Sequence, residues 1–294
     1  YSMGPPSSGG TAIIEMLNML ELAGMDSIEF GSATYVHLLA EVMRRTYADR
    51  AEFMGDADFN PDLPLQELIS KEHAAKRFAS INYGKASVSD SSRFGQAFEG
   101  DHTTHLSVID KHGNAVSLTY TLEHSYGSGM GSPKLGFILN NEMGDFNPIP
   151  GFTSSKGYIG TLPNQIEPEK RMLSSMSPTI VAKNGRPYLI IGSPGGRTII
   201  NTVMQTILAV LEYEMPIDRA IEALKIHHAW LPDIIKYEQH LLSPDTRKIL
   251  EEMGHELKPV DALGMLMGIQ VDAENKVYIG AADSRSHSGA AVGY

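Results

Sequence analysis

Three stretches of this chain set reactive residue types at spacings that chemistry uses. Gly192-Ser193-Pro194-Gly195-Gly196-Arg197 follows a strand-like apolar run and precedes a strongly periodic helical one over Ile199, Ile200, Val203, Ile207, Leu208 and Leu211. A strand, a glycine-rich turn and a helix start in that order present backbone N–H groups to an anion. A tight turn that simply needs glycine is the alternative, and a P-loop is excluded because no Gly-Lys-Ser/Thr follows. Glu142 and Asp145 place two carboxylates in one short stretch, and Ser174-Ser175 place two hydroxyls ahead of Met176-Ser177-Pro178. Taken singly, a solvated loop end and a turn cap explain these as well. Thr103 and Thr104 stand where a polar, helix-poor segment gives way to an alternating run. His105, Ser107 and Ile109 point one way and Leu106 and Val108 the other, the period of a half-buried strand.

Other candidates fail on their own chemistry. Asp56 to Asp62 mimics a calcium loop, but Pro61 takes the sixth position, where that loop needs glycine. Gly127-Ser128-Gly129-Met130-Gly131 invites a dinucleotide reading, which Pro133 and the strand-like Phe137-Ile138-Leu139 contradict. His227-His228 reads as two structural histidines on a helix, since adjacent helical residues do not converge on a metal.

Composition narrows the function classes. The chain has 294 residues, 42% hydrophobic and 20% charged, with a formal net charge of −11. That balance argues against a nucleic-acid footprint, and no apolar stretch is long enough to span a bilayer as a helix. With no cysteine, disulfides, thiolate zinc sites and a thiol nucleophile are excluded.

The elements that must position these residues follow from periodicity. A helix with Thr11 as N-cap runs to Gly24. A longer one from near Ser32 buries Tyr35, Val36, Leu39, Val42, Met43 and Tyr47, with Glu41, Arg44, Arg45 and Asp49 facing solvent. A turn leads to a short helix over 65–69, and the polar segment 85–100 reads as exposed, mobile and tolerant of cleavage. The strand from Thr103 turns at Lys111-His112-Gly113-Asn114 into a second strand over 115–122. After a long loop over 146–170, a hairpin pairs 179–183 with 188–191 through Asn184-Gly185, followed by the helix from Ile199. Helices over 216–225 and from Pro244 to Gly254 follow, then strands over 267–271 and 277–280. Paired strands with strongly apolar helices between them predict stacked sheet and helix layers.

In order and spacing, Thr103-Thr104-His105, the strand to Thr121, Asn140-Asn141-Glu142-Met143-Gly144-Asp145-Phe146, Leu173-Ser174-Ser175-Met176-Ser177-Pro178-Thr179 and Gly192-Ser193-Pro194-Gly195-Gly196 resemble the γ-glutamyltransferase (glutathione hydrolase) family of N-terminal-nucleophile hydrolases. The resemblance runs from Tyr1 to Tyr294. It implies an α+β fold, a four-layer αββα sandwich, and a proenzyme that cuts itself between His102 and Thr103. Residues 1–102 would be the mainly helical C-terminal portion of a large subunit whose N-terminal part is missing, and 103–294 the small catalytic subunit. By the same resemblance Thr103 is the nucleophile, its freed α-amino group is the base, and Thr121 orients it. Gly195 and Gly196 form the oxyanion hole. Ser174 and Ser175 hold the α-carboxylate of the γ-glutamyl group, and Glu142 and Asp145 its α-ammonium. Implied partners are glutathione or another γ-glutamyl compound, and water or an amino-acid or peptide acceptor. No metal or organic cofactor is implied, and a periplasmic or extracellular location is. Glu123 stands where transferases commonly carry Asn at the substrate amine. The lid, 150–163, has Lys156 where an aromatic is common, with Tyr158 nearby. The family's substrate-carboxylate arginine belongs to the missing N-terminal part. The alternatives are a branch acting on poly-γ-glutamate or on a β-lactam acyl side chain, and a non-catalytic binding relative.

Overall fold

The computed structural model describes residues 1–90, 103–147, 149–152, 154–156, 159–286 and 288–293. The expected scissile bond at His102, most of the segment expected to be mobile, and Tyr158 lie outside the described residues.

The N-terminal region is helical. α1 (Gly9–Ala23) ends on Gly24 in the left-handed conformation, where glycine carries no Cβ penalty. It starts earlier than Thr11 predicts. Ser8 N–H and Oγ–H both donate to the Ser174 carbonyl, at 2.9 and 2.8 Å, fixing the chain before the first turn. α2 (Ala33–Phe53) begins at Ser32, whose hydroxyl accepts from Tyr35 N–H. The short α3 (Leu65–Leu68) and α4 (Lys71–Phe78) follow, and sequence periodicity missed α4.

The solvent face assigned to α2 is buried. Glu41 and Asp49 are fully covered, and Arg44 and Arg45 nearly so. α2 is enclosed by α1, α7 and β5 rather than lying on a surface. Its charges survive burial because they are paired. Arg45 Nη1 donates to Glu41 Oε2 at 2.7 Å, Ser87 N–H donates to Oε1 at 3.0 Å, and Arg77 Nε donates to Asp49 Oδ2 at 2.7 Å.

Three sheets follow among the described residues. β1 (Thr103–Ile109) and β2 (Ala115–Thr121) form an antiparallel hairpin with Thr103 opposite Thr121. β3 (Thr179–Lys183), β4 (Arg186–Gly192), β8 (Met267–Asp272) and β9 (Val277–Ala282) form an antiparallel sheet in that spatial order. The third sheet joins β5 (Ile226–His227), β6 (Ile235–Glu238) and β7 (Leu257–Val260). α5 (Thr198–Leu211) and α6 (Ile217–Glu222) lie between β4 and β5 in sequence, and α7 (Pro244–Glu252) precedes β7. The helix expected to reach residue 225 ends at Glu222, so His227 closes a short strand rather than a helix. The pair is structural all the same: Asn201 Nδ2 lies 2.8 Å from His227 Nδ1, and His228 Nε2 3.0 Å from Asp233 Oδ1.

The layers stack as expected. The hairpin lies face-on against β4 and β8, and α5 and α6 cover the opposite face of that sheet, with α1 and α2 packed behind. Most of the core lies in this helical layer and the sheet beneath it. The hairpin is inside out. Its buried face carries Thr103, His105, Ser107, Ser117, Thr119 and Thr121, while Leu106 and Tyr120 on the outer face are 54% and 60% exposed. Two of the three sheets thus stack face to face under one helical layer, an α+β layering; the second, outer helical layer of an αββα sandwich is not among the described residues. No helix of the described residues is long and apolar enough to cross a membrane.

Candidate active site

Thr103 and Thr121 share the open end of the β1–β2 hairpin, and their placement follows from how the hairpin is docked. Ser117 Oγ–H donates to the Ile191 carbonyl at 3.1 Å. One register step further along, the His105 ring lies on Gly192, so closely that a methyl there would sit 2.2 Å from its Cε1 and Nδ1. The next inward pair is Thr103 and Thr121, and the next residues of the sheet strand are the Ser193–Gly196 turn. The hairpin thus runs its threonine end toward the glycine turn.

His105 is the latch. Its Nδ1 lies 2.9 Å from Thr119 Oγ1 and its Nε2 3.0 Å from Ser107 Oγ, so both ring nitrogens are engaged under the hairpin. Burial lowers its pKa to about 4. Protons are then taken up below 6.5 by the unfolded chain and not by the folded one. The stability contributed by this group falls as pH drops from 6.5 to about 4 and is constant below. Over that window His105 alone should cost about 3 kcal/mol, read from urea midpoints. His105→Gln should reduce the slope without abolishing it, since burial also lowers the pKa of His227, His228 and His255; an unchanged slope would remove His105 as a contributor.

The glycine turn has the features of an anion site. Gly195 and Gly196 have φ of 130° and 54°, which side-chain-bearing residues rarely adopt. Thr198 N–H and Oγ–H bind the Gly195 carbonyl at 3.1 and 2.7 Å, and Ile199 N–H binds that of Gly196 at 3.1 Å. The carbonyls are thus turned into the start of α5, and neither glycine N–H has an acceptor among the described residues. Two donors at a helix start suit a developing negative charge.

The carboxylates and serines converge through one buried asparagine. Glu142 and Asp145 bound a single 3₁₀ turn, Glu142–Asp145. Asn164 Nδ2 donates to the Asp145 carbonyl at 2.7 Å, and Asn164 Oδ1 accepts Leu173 N–H at 2.9 Å, which fixes the acidic turn beside Ser174. Ser174 Oγ is buried with no hydrogen-bond partner among the described residues. A buried hydroxyl left unsatisfied is costly unless a ligand completes it. Ser175 Oγ accepts Arg50 Nη2–H at 3.1 Å.

Glu123 belongs to this wall. It is buried, its N–H donates to Thr121 Oγ1 at 2.9 Å, and its carboxylate accepts from Asn141 Nδ2. Its φ of 70° is a strained conformation for glutamate, costing on the order of 1 kcal/mol. The carboxylate also lies directly against Gly144, where a Cβ would meet it at 2.5 Å. The lid expected over 150–163 is tied at its base: Asn147 pairs with Gln165, and Gly151 N–H donates to Gly160 O at 2.8 Å. Asn164, Arg50 and Tyr47 were missed as site residues. The signal for Arg50 was present, since an arginine three residues after Tyr47 extends the apolar stripe of α2.

Ligand-type side chains gather twice elsewhere among the described residues, as His37–Glu41–His255 and Glu15–Asp49–His73. In the first, His37 bonds His255 and the Asn82 carbonyl, both at 2.8 Å, and Arg44, Arg45 and Ser87 occupy Glu41. In the second, Arg77 and His73 occupy Asp49, so a guanidinium already fills the cation's place. Asp56, from the calcium-like loop, accepts Arg171 N–H and Nε–H at 2.8 and 2.9 Å.

A family profile described as gamma-glutamyltranspeptidase matches residues 1–293. The glutathione hydrolase proenzyme of Escherichia coli (strain K12) is 43% identical over 296 residues, which cover 100% of this chain and 50% of the relative. The chain therefore spans about half the length of the curated relatives it matches. Among solved structures, a mutant γ-glutamyltranspeptidase of Helicobacter pylori is 45% identical with a TM-score of 0.59, covering 62% of this chain and 100% of that one. A cephalosporin acylase from Bacillus halodurans, 21% identical, has a TM-score of 0.78 over 97% of this chain and 49% of that one, a likeness of fold alone. Motif order, layer stacking and a match across nearly every residue lead to one conclusion: the chain belongs to the γ-glutamyltranspeptidase family.

Proposed function

We propose that this chain carries the catalytic half of a γ-glutamyl hydrolase and transferase with Thr103 as nucleophile. The observation that carries the reading is the docking of the hairpin by His105 on Gly192, which aims Thr103 and Thr121 at a glycine turn with two uncommitted N–H donors. A threonine hydroxyl is a weak nucleophile and needs a base. Cleavage after His102 frees the α-amino group of Thr103, whose ordinary pKa of roughly 8 suits that task. Residues 1–102 then belong to the first product of processing, and Thr103 heads the second.

The α-amino group takes the proton of Thr103 Oγ–H as the oxygen attacks the γ-carbonyl carbon. The oxyanion that forms is held by Gly195 and Gly196 N–H, and Thr121 keeps the hydroxyl oriented. As the C–N bond breaks, the ammonium returns its proton to the leaving amine. Water then hydrolyses the ester to release glutamate, or an amino-acid or peptide amine takes the acyl group. Ser174 and Ser175 hold the substrate α-carboxylate, and the unsatisfied hydroxyl of Ser174 supports that role. Glu142 and Asp145, with Glu123 beside them, offer the anionic wall an α-ammonium requires. Glutathione is the proposed substrate, and the periplasm or extracellular space the proposed location.

Mass spectrometry of the full-length protein together with a glutathione hydrolysis assay tests this. A fragment beginning at Thr103 and release of glutamate are expected; an uncut, inactive chain would overturn the reading.

A preceding half of the polypeptide is proposed to cover the outer hairpin face, where Leu106, Val108, Val116, Leu118 and Tyr120 are exposed. Residues 1–294 alone should therefore self-associate on size exclusion, and co-expression of the preceding half should suppress it. A monodisperse monomer of 1–294 would count against that cover.

A further inference from the structure

One helix reaches both walls of the site. Tyr47 and Arg50 stand three residues apart on α2, on one helical face. Tyr47 O–H donates to the Arg197 carbonyl, in the residue directly after Gly196. Arg50 Nε–H donates to Ser8 Oγ at 2.7 Å, and its Nη2–H to Ser175 Oγ at 3.1 Å. Ser8 in turn holds the Ser174 carbonyl through both its N–H and its hydroxyl. The Arg50 guanidinium lies 5.9 Å from the Tyr47 ring centroid and that of Arg197 5.7 Å, so two cations lie over this ring. The His227 ring meets it edge-on, with centroids 5.8 Å apart. Both Tyr47 and Arg50 are buried.

We propose that Arg50 and Tyr47 are positioning residues that act on different steps: Arg50 through the serines that receive the substrate carboxylate, and Tyr47 through the turn that receives the oxyanion. The inference rests on the function proposed above and adds a division of labour within that site. Arginine has donors only, and a serine hydroxyl has one hydrogen. With Arg50 donating into Ser175 Oγ, the hydroxyl hydrogen is directed away from the guanidinium. The positive charge behind the oxygen strengthens that hydroxyl as a donor to an anion. This contact acts on substrate and transition state alike, because the α-carboxylate keeps its charge throughout the reaction. Tyr47 fixes the Arg197–Thr198 peptide, one residue beyond Gly196, and so the aim of the glycine donors. Those matter only once the carbonyl oxygen becomes charged.

The two substitutions should therefore separate kinetically. In the full-length, processed enzyme assayed with glutathione and counted by active-site titration, Arg50→Lys should raise KM about tenfold with kcat nearly unchanged. Tyr47→Phe should lower kcat about tenfold with KM nearly unchanged. Ser8→Ala, which leaves the guanidinium in place, is a milder probe of the Arg50 arm and should raise KM about threefold. A merely structural role would lower melting temperature and active fraction while leaving the constants of the remaining active enzyme untouched. That outcome overturns the inference, as would KM and kcat moving together in both variants. If the unsubstituted enzyme shows no γ-glutamyl turnover, the functional reading falls and this inference with it; turnover without the split removes the inference alone.

Discussion

Thr103→Ala is expected to leave the full-length polypeptide as one uncut chain with no measurable γ-glutamyl hydrolysis. The substitution removes the hydroxyl required both to attack the peptide bond after His102 and to form the acyl-enzyme. Loss of a nucleophile from a concerted catalytic unit costs on the order of 10⁶-fold in turnover in a well-studied serine protease, and a fall of at least about 10⁴ is expected here. Thr103→Ser keeps the hydroxyl and the amine, so it should still process and hydrolyse, at reduced rates. The checks are gel mobility, the mass of the small fragment, and initial rates with glutathione. Hydrolysis retained by the alanine variant would take Thr103 out of the mechanism.

Gly192→Ala is expected to have the largest effect of any change away from the reacting groups. Its Cβ would lie 2.2 Å from the His105 imidazole, well inside any real contact. The ring cannot step aside cheaply, because Thr119 and Ser107 engage both nitrogens from within the same hairpin. Either the hairpin lifts off β4 or the ring gives up both bonds. Overpacking of this kind costs on the order of 3 kcal/mol. The lift acts where Thr103 is aimed, so turnover should fall by about 10² or more even in the fraction that folds. Gly131→Ala is the control, since its nearest neighbour would be 3.7 Å away and no unusual φ is involved. Denaturation midpoints and kcat on the two variants decide it; equal behaviour would show that the docking contact is not what positions the hairpin.

The sequence made the hairpin, the sheet strands and the helices on either side legible because each follows a simple period: alternation for β1 and β2, and a helical stripe for α5. The setting of the glycine turn, between a strand and a helix start, was readable from the sequence. Which hairpin face is buried was not readable, because alternation alone has no inside. The polar face won because His105, Ser117 and Thr119 find partners there, while the apolar face remains open among the described residues. The charged side of α2 misled for a related reason. Periodicity assumes a helix with one side in water, and α2 has neighbours all round, so Glu41 and Asp49 are buried with their arginines. β6 and β7 were missed because Ile235–Glu238 and Leu257–Val260 are four residues each, too short to display a period. Arg50 meets a residue 125 positions away and Asn164 meets residues 19 and 9 positions away, and spacing along a chain carries no record of such meetings.

The first residues of the chain lie across its later half. The Tyr1 nitrogen lies 2.8 Å from the Ile180 carbonyl oxygen, Thr179 Oγ1 lies 3.0 Å from Ser2 Oγ, and Ser7 and Ser8 grip the Ser174–Met176 backbone. With α1 also packed against α5, a nick between the two segments would separate them in covalent terms only. The pieces would share a single melting transition and elute together in anything short of denaturant, so backbone scission would create a new chain end without releasing a fragment.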